Sequence, residues 1–259
     1  MTHLAIARKY RPQTFDEVIA QEPIVRTLKN AIEQNLVAHA YIFSGMRGVG
    51  KTTTARILAK ALNCEKGPTV TPCGECPPCK EIAAGSAMDV LEIDAASNRG
   101  IDEIRELREN VRYLPARDRY KIFIIDEAHM LTTEAFNALL KTLEEPPPRV
   151  LFVLATTEPH RIPSTIHSRC QSFHFRSVSF GETLSVLENV SRQEKIQAGA
   201  EALAVMTRAA EGSLRDALSI LDQAIAYCGD KIDAEKVREL LGVVSEDVLE
   251  RLVEAIRAQ

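Results

Sequence analysis

The sequence predicts an α/β fold, a parallel five-stranded sheet with helices on both faces, followed by a small all-helical domain. Three observations lead to this prediction. Short apolar segments rich in strand-forming residues alternate with helical segments as far as about residue 178. A glycine-rich loop joins the first of these strands to a helix. Beyond residue 178, strand-like segments give way to helical periodicity.

The first strand, 41–44, leads into the loop GMRGVGKT, which fits the pattern G-x-x-x-x-G-K-[ST]. Apolar residues then recur at helical spacing from Ala55 to Leu62. In this context glycines let backbone N–H groups turn inward around phosphates, the lysine reaches the β- and γ-phosphates, and the threonine hydroxyl binds Mg²⁺. The sequence therefore predicts a nucleotide-binding loop made of Gly45, Met46, Arg47, Gly48, Val49, Gly50, Lys51 and Thr52.

Four cysteines follow the helix after this loop, at Cys64, Cys73, Cys76 and Cys79. Their C-x₂-C spacings bring sulfur atoms towards one point, and Gly74 and the prolines after Cys76 predict tight turns. Segment 64–79 is too short to bury a core, so we expect a structural zinc ion to organise it as a zinc knuckle. An iron–sulfur cluster is a rival interpretation, since C-x₂-C-x₂-C also begins a ferredoxin run, and free thiols are a third.

The second strand, 90–94, runs into the segment DAASNRGIDEIREL, which begins another helix. Ser97 and Asn98 are candidate N-caps, and the exposed amides of the helix start, with Arg99, can hold a phosphate group. An ordinary capped surface helix explains the same residues equally well.

The third strand, 121–126, is continuously apolar before it ends in Asp126 and Glu127, as expected of a central parallel strand. Ligand sites lie at the carboxyl ends of such strands. Because consecutive strand residues point in opposite directions, we expect Asp126 to hold the water shell of Mg²⁺ and Glu127 to orient and polarise the attacking water. Acidic pairs are also common on surfaces, and the preceding phosphate loop is what favours the catalytic interpretation.

The fourth strand, 150–156, places Thr157 at its tip, where the hydroxyl can hydrogen-bond a γ-phosphate or the attacking water, or simply cap the strand. Further along, just after a predicted helical turn, Arg169 carries a charge that can stabilise a transferring phosphoryl group. From spacing alone, a surface salt bridge is the simpler interpretation of Arg169. The fifth strand is expected at 172–175.

The helical pattern predicts how the chain divides. We expect residues 1–178 to form the nucleotide-binding domain, with a helix over 133–145 that the prolines of LEEPPPR end. Residues 179–243 are expected to form a helical lid. Residues 244–259 have an apolar stripe without a core to pack on, so we expect them to start a truncated C-terminal helical domain. The lid helices are predicted at 180–197, 199–210, 213–227 and 233–241.

The composition excludes several classes of protein. With 32 Lys and Arg against 36 Asp and Glu, the net charge of −4 does not suit a protein that coats nucleic acid by bulk charge. The sequence has no apolar run near the roughly 20 residues that span a bilayer, and no secretory signal. We therefore expect a cytoplasmic protein without a membrane partner, whose six cysteines are thiols or metal ligands rather than disulfides.

The order of the motifs resembles that of the AAA+ ATPases: the phosphate loop, IIDEAH, the Thr157 sensor, and GSLRDALSILDQAI at 212–225. KYRPQTFDEVIAQE (9–22) and SRC (168–170) are similar to motifs of clamp loaders, and the cysteines resemble those of the gamma/tau family of the bacterial DNA polymerase III clamp loader. The resemblance covers residues 4 to about 243. It implies an AAA+ sheet in which the extra strand, 90–94, is inserted in space between the phosphate-loop strand and the acidic strand.

The resemblance also implies roles for single residues. Arg11 and Pro12 would flank the adenine, with Val49 under the base. Arg215 would be a second sensor that reaches the phosphates from the lid, although an arginine on an amphipathic helix is more often solvated. Arg169 would act in trans as an arginine finger, on ATP held by a neighbouring subunit.

The function that the resemblance implies is that of a clamp-loader motor subunit, which uses ATP to open a sliding clamp and load it on primed DNA during replication. The implied cofactors are ATP, Mg²⁺ and structural Zn²⁺. The implied partners are delta and delta-prime type subunits in a hetero-pentamer, the sliding clamp, and primer–template DNA, which Asn98 and Arg99 would face without reading its bases.

Two other functions remain alternatives. One is a non-hydrolysing architectural subunit, which the intact phosphate loop and acidic pair disfavour. The other is a hexameric AAA+ helicase motor, which the four cysteines and the SRC segment disfavour.

Overall fold

The computed structural model describes residues 4–97, 107, 109–111, 113–229, 231–242 and 256–257. The chain forms two compact units, Pro12–Ser177 and, as the second unit, Val178–Gln259 together with Met1–Arg11. The division after Ser177 lies one residue before the expected one, whereas the first eleven residues group with the helical unit rather than with the sheet. The three predicted domains stay a prediction, because residues 243–255 lie outside the described part.

The helices and strands, in chain order, are α1 (Ile6–Lys9), α2 (Glu22–Glu33), β1 (Ala40–Gly45), α3 (Lys51–Asn63), α4 (Pro77–Ala84), β2 (Val90–Asp94), β3 (Lys121–Asp126), α5 (Thr133–Glu144), β4 (Val150–Thr156), α6 (Ser164–His167), β5 (Gln171–Phe175), α7 (Phe180–Gln193), β6 (Gln197–Ala198), α8 (Ala200–Ala209), α9 (Leu214–Cys228), β7 (Lys231–Ile232) and α10 (Ala234–Leu241). Short 3₁₀ helices occur at Phe15–Glu17, Ala128–Met130 and Pro159–Arg161. In the described part of the chain, no helix combines the length and the apolar character that crossing a membrane needs.

Five parallel strands form the sheet of the larger unit, in the spatial order β2-β3-β4-β1-β5. Strand β4, not β2, separates the phosphate-loop strand from the acidic strand, so the position predicted for 90–94 is wrong. Burial explains the order: all seven residues of β4 are buried, as a strand covered on both faces requires. In β2, Glu92 and Asp94 are exposed, which only an edge strand tolerates.

Helices cover both faces of this sheet, as predicted. Successive residues of β1 alternate between two cores: Tyr41 and Phe43 pack in the one that includes Leu58 of α3, and Ile42 packs in the other, with Phe136 of α5. Burial of one such side chain contributes about 1.5–3 kcal/mol. Since all the strands are parallel, the carboxyl ends of β1, β3 and β4 meet at one edge of the sheet.

The second unit is helical, as predicted, with Leu187, Met206 and Leu221 in its core. Helix α7 begins with a capping box in which Ser179 and Glu182 each accept the other's backbone N–H. The unit also contains a parallel pair of two-residue strands, β6 with β7, which the sequence analysis did not predict. Two residues are too few to show strand alternation. Helix α7 ends at Gln193, before the end predicted at residue 197. Lys195, which follows, has φ 60°, a left-handed conformation that does not continue a helix.

Candidate nucleotide site and cysteine cluster

The glycine-rich loop joins buried strand β1 to helix α3 through three residues of positive φ. Gly45, Gly48 and Gly50 have φ of 141°, 77° and 102°, which residues with side chains rarely adopt. A Cβ at Gly45 would also meet the carbonyl oxygen of Phe175 at 2.4 Å. The sequence thus leaves bare backbone at the start of a 13-residue helix, where free N–H groups and the helix dipole favour an anion.

Lys51 is the first residue of α3, and its side chain turns back into the loop. The ammonium donates to the carbonyl oxygens of Gly45 at 2.7 Å and Met46 at 2.8 Å, and the residue is 6% exposed. Burial lowers the pKa of Lys51, and the negative charges of Glu127 and Asp126 partly oppose this shift. The cation expected to reach the phosphates therefore lies inside the loop.

Thr52 and Asp126, the predicted magnesium ligands, are 74 positions apart in sequence, yet Thr52 Oγ1 donates to Asp126 Oδ2 at 2.8 Å. The pairing of β4 with both β1 and β3 brings the two residues to the same sheet edge. Hydroxyl and carboxylate oxygens are the ligands that Mg²⁺ prefers, so this donor set fits the ion.

Glu127 also lies at this edge. It is not part of the strand, however, so the alternation of strand residues that we expected does not apply to its side chain. Strand β3 ends at Asp126, and Glu127 adopts the left-handed conformation with φ 48° and ψ 44°. The two carboxylates have different partners, since Asp126 accepts from Thr52 and Glu127 accepts from Thr157, and the Glu127 N–H donates to Asp126 Oδ1 at 3.0 Å. The conformation costs a residue with a Cβ about 1–2 kcal/mol, and such strain concentrates at functional sites.

Thr157, the predicted sensor, follows β4 directly and donates from Oγ1 to Glu127 Oε2 at 3.3 Å. The structure therefore brings together the two side chains expected to act on the attacking water. His129, which the sequence analysis did not single out, belongs to the same group, because its Nδ1 lies 3.5 Å from Glu127 Oε2. The available signal was its place two residues after Glu127 in IIDEAH.

Arg169 follows the short helix α6 and takes no part in the contacts described around Glu127. Its guanidinium pairs with the Glu144 carboxylate and donates to the Thr165 carbonyl oxygen at 2.6 Å and to Ser168 Oγ at 3.1 Å. The side chain is 31% exposed, at a shallow groove of about 440 Å³ that His39 also lines. The salt bridge that spacing suggested is therefore present, and the role in trans stays a prediction.

The other residues predicted to contact the nucleotide differ in exposure. Val49 is buried in the loop, while the neighbouring side chains of Met46 and Arg47 are exposed. Arg11 and Pro12 are both half-buried and stand on either side of the division between the two units. Their contacts with adenine stay predictions.

Two further predictions concern the second unit and DNA. Arg215 is exposed in the first turn of α9, as expected of a solvated arginine on an amphipathic helix, and its role as a second sensor stays a prediction. Asn98 and Arg99 lie outside the described residues. Ser97, just before them, donates from Oγ to Asp94 Oδ2 at 2.9 Å, which closes the chain into a turn after β2.

The four cysteines form a single cluster. The Sγ atoms of Cys64, Cys73, Cys76 and Cys79 all lie within 4.8 Å of one another. Sulfurs around zinc, at Zn–S distances of about 2.3 Å, stand about 3.8 Å apart, so this donor set fits a tetrahedral metal ion. The N–H groups of Cys76 and Glu75 lower the pKa of the Cys73 thiol to about 6, whereas burial raises the pKa of Cys79.

Helix ends supply two of the four sulfurs. Cys64 is the C-cap of α3, and Cys76 is the N-cap of α4, whose first residues are Pro77 and Pro78. The two prolines therefore begin a helix, where a missing N–H costs nothing, rather than forming the tight turns predicted from sequence. Gly74, with φ 72°, does turn the chain as predicted.

Comparison with known proteins matches both units. The family model described as "DNA polymerase III, delta subunit" covers residues 20–179, and "DNA polymerase III clamp loader subunit, ATPase lid domain" covers residues 184–230. DNA polymerase III subunit tau from Bacillus subtilis is 49% identical, and that from Escherichia coli 50% identical, each over 99% of this chain. Subunit gamma from Buchnera aphidicola subsp. Baizongia pistaciae is 43% identical over 95% of this chain and 67% of its own length.

The chain belongs to the tau/gamma family of DNA polymerase III clamp-loader subunits. It spans 46% of the length of the Bacillus tau subunit and 40% of the Escherichia one. Among solved structures, the Thermotoga maritima RuvB Holliday junction branch migration motor has a TM-score of 0.64 at 19% identity, over 96% of this chain and 80% of that one. A point mutant of the same RuvB has a TM-score of 0.66 at 17% identity, over 96% and 81%. At these identities the likeness shows the AAA+ fold of this tau/gamma family member and nothing of its activity.

Proposed function

We propose that this tau/gamma family member is an ATP-hydrolysing motor subunit of the DNA polymerase III clamp loader, which opens the sliding clamp and loads it on primed DNA. The observation that supports this most is the 2.8 Å hydrogen bond between Thr52 and Asp126, with Glu127 beside it. It joins a phosphate loop to an acidic strand end, the two parts that phosphoryl transfer to water needs.

In the proposed reaction the loop N–H groups and Lys51 hold the β- and γ-phosphates of ATP. Thr52, and Asp126 through water, would hold Mg²⁺, which when bound neutralises charge on the phosphate oxygens. Glu127 orients a water molecule and polarises its O–H bond as the water oxygen bonds to the γ-phosphorus. The bond from that phosphorus to the β–γ bridging oxygen breaks, and its electron pair stays on the oxygen of the leaving ADP. Phosphate leaves with the oxygen of the water, whose surplus proton passes to solvent. Thr157 keeps the Glu127 carboxylate in position.

The proposed setting is an assembly with delta and delta-prime type subunits, the clamp and primer–template DNA, in the cytoplasm. Arg169 would stabilise charge on ATP bound to a neighbouring subunit, and Arg215 would act as the second sensor. We further propose that DNA stimulates hydrolysis, that Asn98 and Arg99 face the DNA backbone, and that the cysteines hold structural zinc. These roles are supported by the family to which the chain belongs.

The two alternatives are weaker. A non-hydrolysing scaffold has no need of a buried Lys51, a Thr52–Asp126 bond, or the left-handed backbone of Glu127. A hexameric helicase motor is suggested only by the RuvB fold, whereas identity of 43–50% links the chain to tau and gamma subunits.

Two substitutions test the proposal, because they separate ATP binding from hydrolysis. In the full-length chain assembled with its partner subunits, Lys51→Ala should weaken ATP binding at least about 100-fold, since it removes the loop cation. Glu127→Gln should keep ATP binding and lower kcat about 10²- to 10³-fold, since an amide cannot polarise water as a carboxylate does.

Equilibrium binding and single-turnover hydrolysis measure the two effects. Lys231→Ala, at an exposed lysine of the second unit, is the control. Wild-type binding in Lys51→Ala, or wild-type hydrolysis in Glu127→Gln, would contradict the proposal.

A further inference from the structure

A histidine lies between the carboxylate proposed to activate water and the end of strand β4. The His129 side chain is 7% exposed and belongs to the 3₁₀ helix that follows β3. Its Nδ1 lies 3.5 Å from Glu127 Oε2 and 3.0 Å from Thr156 Oγ1, and its Nε2 lies 3.3 Å from Glu158 Oε1. Polar partners at both nitrogens hold this buried ring in a single orientation.

The partners of the ring are themselves fixed. Thr156 is fully buried at the end of β4, and its Oγ1 accepts the N–H of Glu158 at 3.0 Å. Strand β4 pairs with β1 and β3, so this anchor stands on the centre of the sheet. Glu127 Oε2 therefore has two polar neighbours. The Thr157 hydroxyl donates to it at 3.3 Å, and the His129 imidazole lies 3.5 Å from it.

Glu127 needs such support, because its backbone does not fix the carboxylate. The residue has left the strand with φ 48°, its side chain is 33% exposed, and a glutamate side chain has three rotatable bonds. A displacement of about 1 Å in a catalytic group can cost about 10²-fold in rate. A partner that restricts the side chain therefore affects the reaction without touching ATP.

We propose that His129 is a positioning residue: its single Nδ1–H is shared between Thr156 Oγ1 at 3.0 Å and Glu127 Oε2 at 3.5 Å and so restricts that carboxylate, while Glu158 faces the other ring nitrogen. The inference rests on the proposed role of Glu127 in ATP hydrolysis and adds one residue to that site. The imidazole does not bind phosphate in this proposal, because its contacts are with the Glu127 carboxylate and with residues at the end of β4.

The first test measures ATP turnover and ATP binding separately, in the full-length chain assembled with partner subunits and primed DNA. His129→Ala should lower kcat about tenfold and leave KM and Kd for ATP within about twofold of wild type, since only the orientation of the carboxylate changes. His160→Gln is the matched control: His160 is 75% exposed and lies 3.7 Å from the same Glu158, and its loss should change neither value.

Two amide variants identify the nitrogen that acts. The amide nitrogen of asparagine takes the place of Nδ1, and that of glutamine the place of Nε2. His129→Asn should therefore restore kcat to within about threefold of wild type, and His129→Gln should remain as slow as His129→Ala. If the ring only filled space, the larger glutamine would be the better substitute, and kcat would follow the melting temperature of each variant.

A double variant shows whether His129 acts through Glu127. In the Glu127→Gln background, adding His129→Ala should leave the single-turnover rate within about twofold, because the group that the histidine positions is already gone. Losses that multiply in the double variant would overturn the inference. Wild-type kcat in His129→Ala, or a loss of ATP affinity equal to its loss of kcat, would do the same. Failure of the proposed function is a separate result, seen as unchanged hydrolysis in Glu127→Gln alone.

Discussion

At the scale of single residues, Asp89 shows how the chain stabilises a buried charge. The residue is 2% exposed, and its carboxylate accepts the N–H groups of Ala116 at 2.7 Å, Arg117 at 2.8 Å and Asp118 at 2.9 Å. Burial alone would raise the pKa of Asp89, but these N–H groups and the charge of Lys121 outweigh it and hold the pKa below its usual value. The carboxylate therefore pins the loop before β3 only while it is ionised.

The sign of the pH dependence follows from this lowered pKa. The contribution of Asp89 to stability is present above its unfolded pKa of about 3.9 and is lost as the pH falls through the lower folded value. Asp89→Asn should lower the free energy of unfolding by about 2–4 kcal/mol near pH 7, because an amide cannot accept all three N–H groups. The difference between the two proteins should shrink once the pH falls below the unfolded value of about 3.9.

Urea unfolding of both proteins at several pH values measures this difference, with Asp16→Asn as the control. Asp16 is a carboxylate with a side chain 72% exposed, paired with Lys29, and its replacement should change little at any pH. A difference for Asp89→Asn that stays constant from neutral to acid pH would contradict the account.

At the scale of elements, helix α3 links the two candidate sites. Its first turn contributes Lys51 and Thr52 to the phosphate loop, and its C-cap is Cys64. At that end, the Asn63 side chain makes two 2.9 Å hydrogen bonds with the backbone of Tyr120, immediately before β3. Arg119 donates to the Cys64 carbonyl oxygen as well. The cysteine cluster is therefore attached to the ends of α3 and β3 that lie opposite the nucleotide site.

Removal of the metal from the cysteine cluster should loosen this end of the unit. We expect one zinc ion per full-length chain by elemental analysis, and its loss in Cys76→Ser should lower the melting temperature by about 5–10 °C, since metal binding contributes to folding free energy. Cys228→Ser, a half-buried cysteine of α9 outside the cluster, should keep both the zinc and the melting temperature. Iron with acid-labile sulfide, or an unchanged melting temperature in Cys76→Ser, would refute the zinc assignment.

At the scale of the whole molecule, Arg169 is the residue through which we propose that the chain acts on a neighbouring subunit. Glu144 and Thr165 fix its guanidinium at the surface, so a charge is already oriented where another subunit can meet it. Pre-organisation of this kind reduces the entropy lost when an assembly forms. The proposed role in trans therefore makes a prediction that differs between the isolated chain and the assembly.

Arg169→Ala should leave ATP turnover of the isolated full-length chain within about twofold of wild type, and should lower turnover of the assembled complex about 10²-fold or more. Steady-state ATPase assays of both forms, with primed DNA and clamp, make the comparison. Arg238→Ala is the control, since Arg238 is 29% exposed and pairs with Glu201 as Arg169 does with Glu144. An equal loss in the isolated chain, or none in the complex, would exclude the role in trans.

Several features could be predicted because they depend on residues close in sequence. The helix predicted at 213–227 is observed at Leu214–Cys228, since the apolar spacing and the Ser213 cap are local. The loop glycines were predictable for the same reason. The charges of Glu92 and Asp94 favour an edge position for β2, which is what the structure shows, whereas the strand order implied by the family resemblance is wrong at this point.

By itself, the sequence determined the parallel α/β class, the phosphate loop between strand and helix, the four-cysteine spacing and the helical character of the second unit, because short-range periodicity and backbone chemistry specify all of these. Only the tertiary structure decided that β4 separates β1 from β3, that Glu127 leaves its strand in a left-handed conformation, and that His129 reaches both Glu127 and Glu158. Strand order and these contacts depend on packing between distant segments, and the energy of that packing is not encoded in any one stretch of the chain.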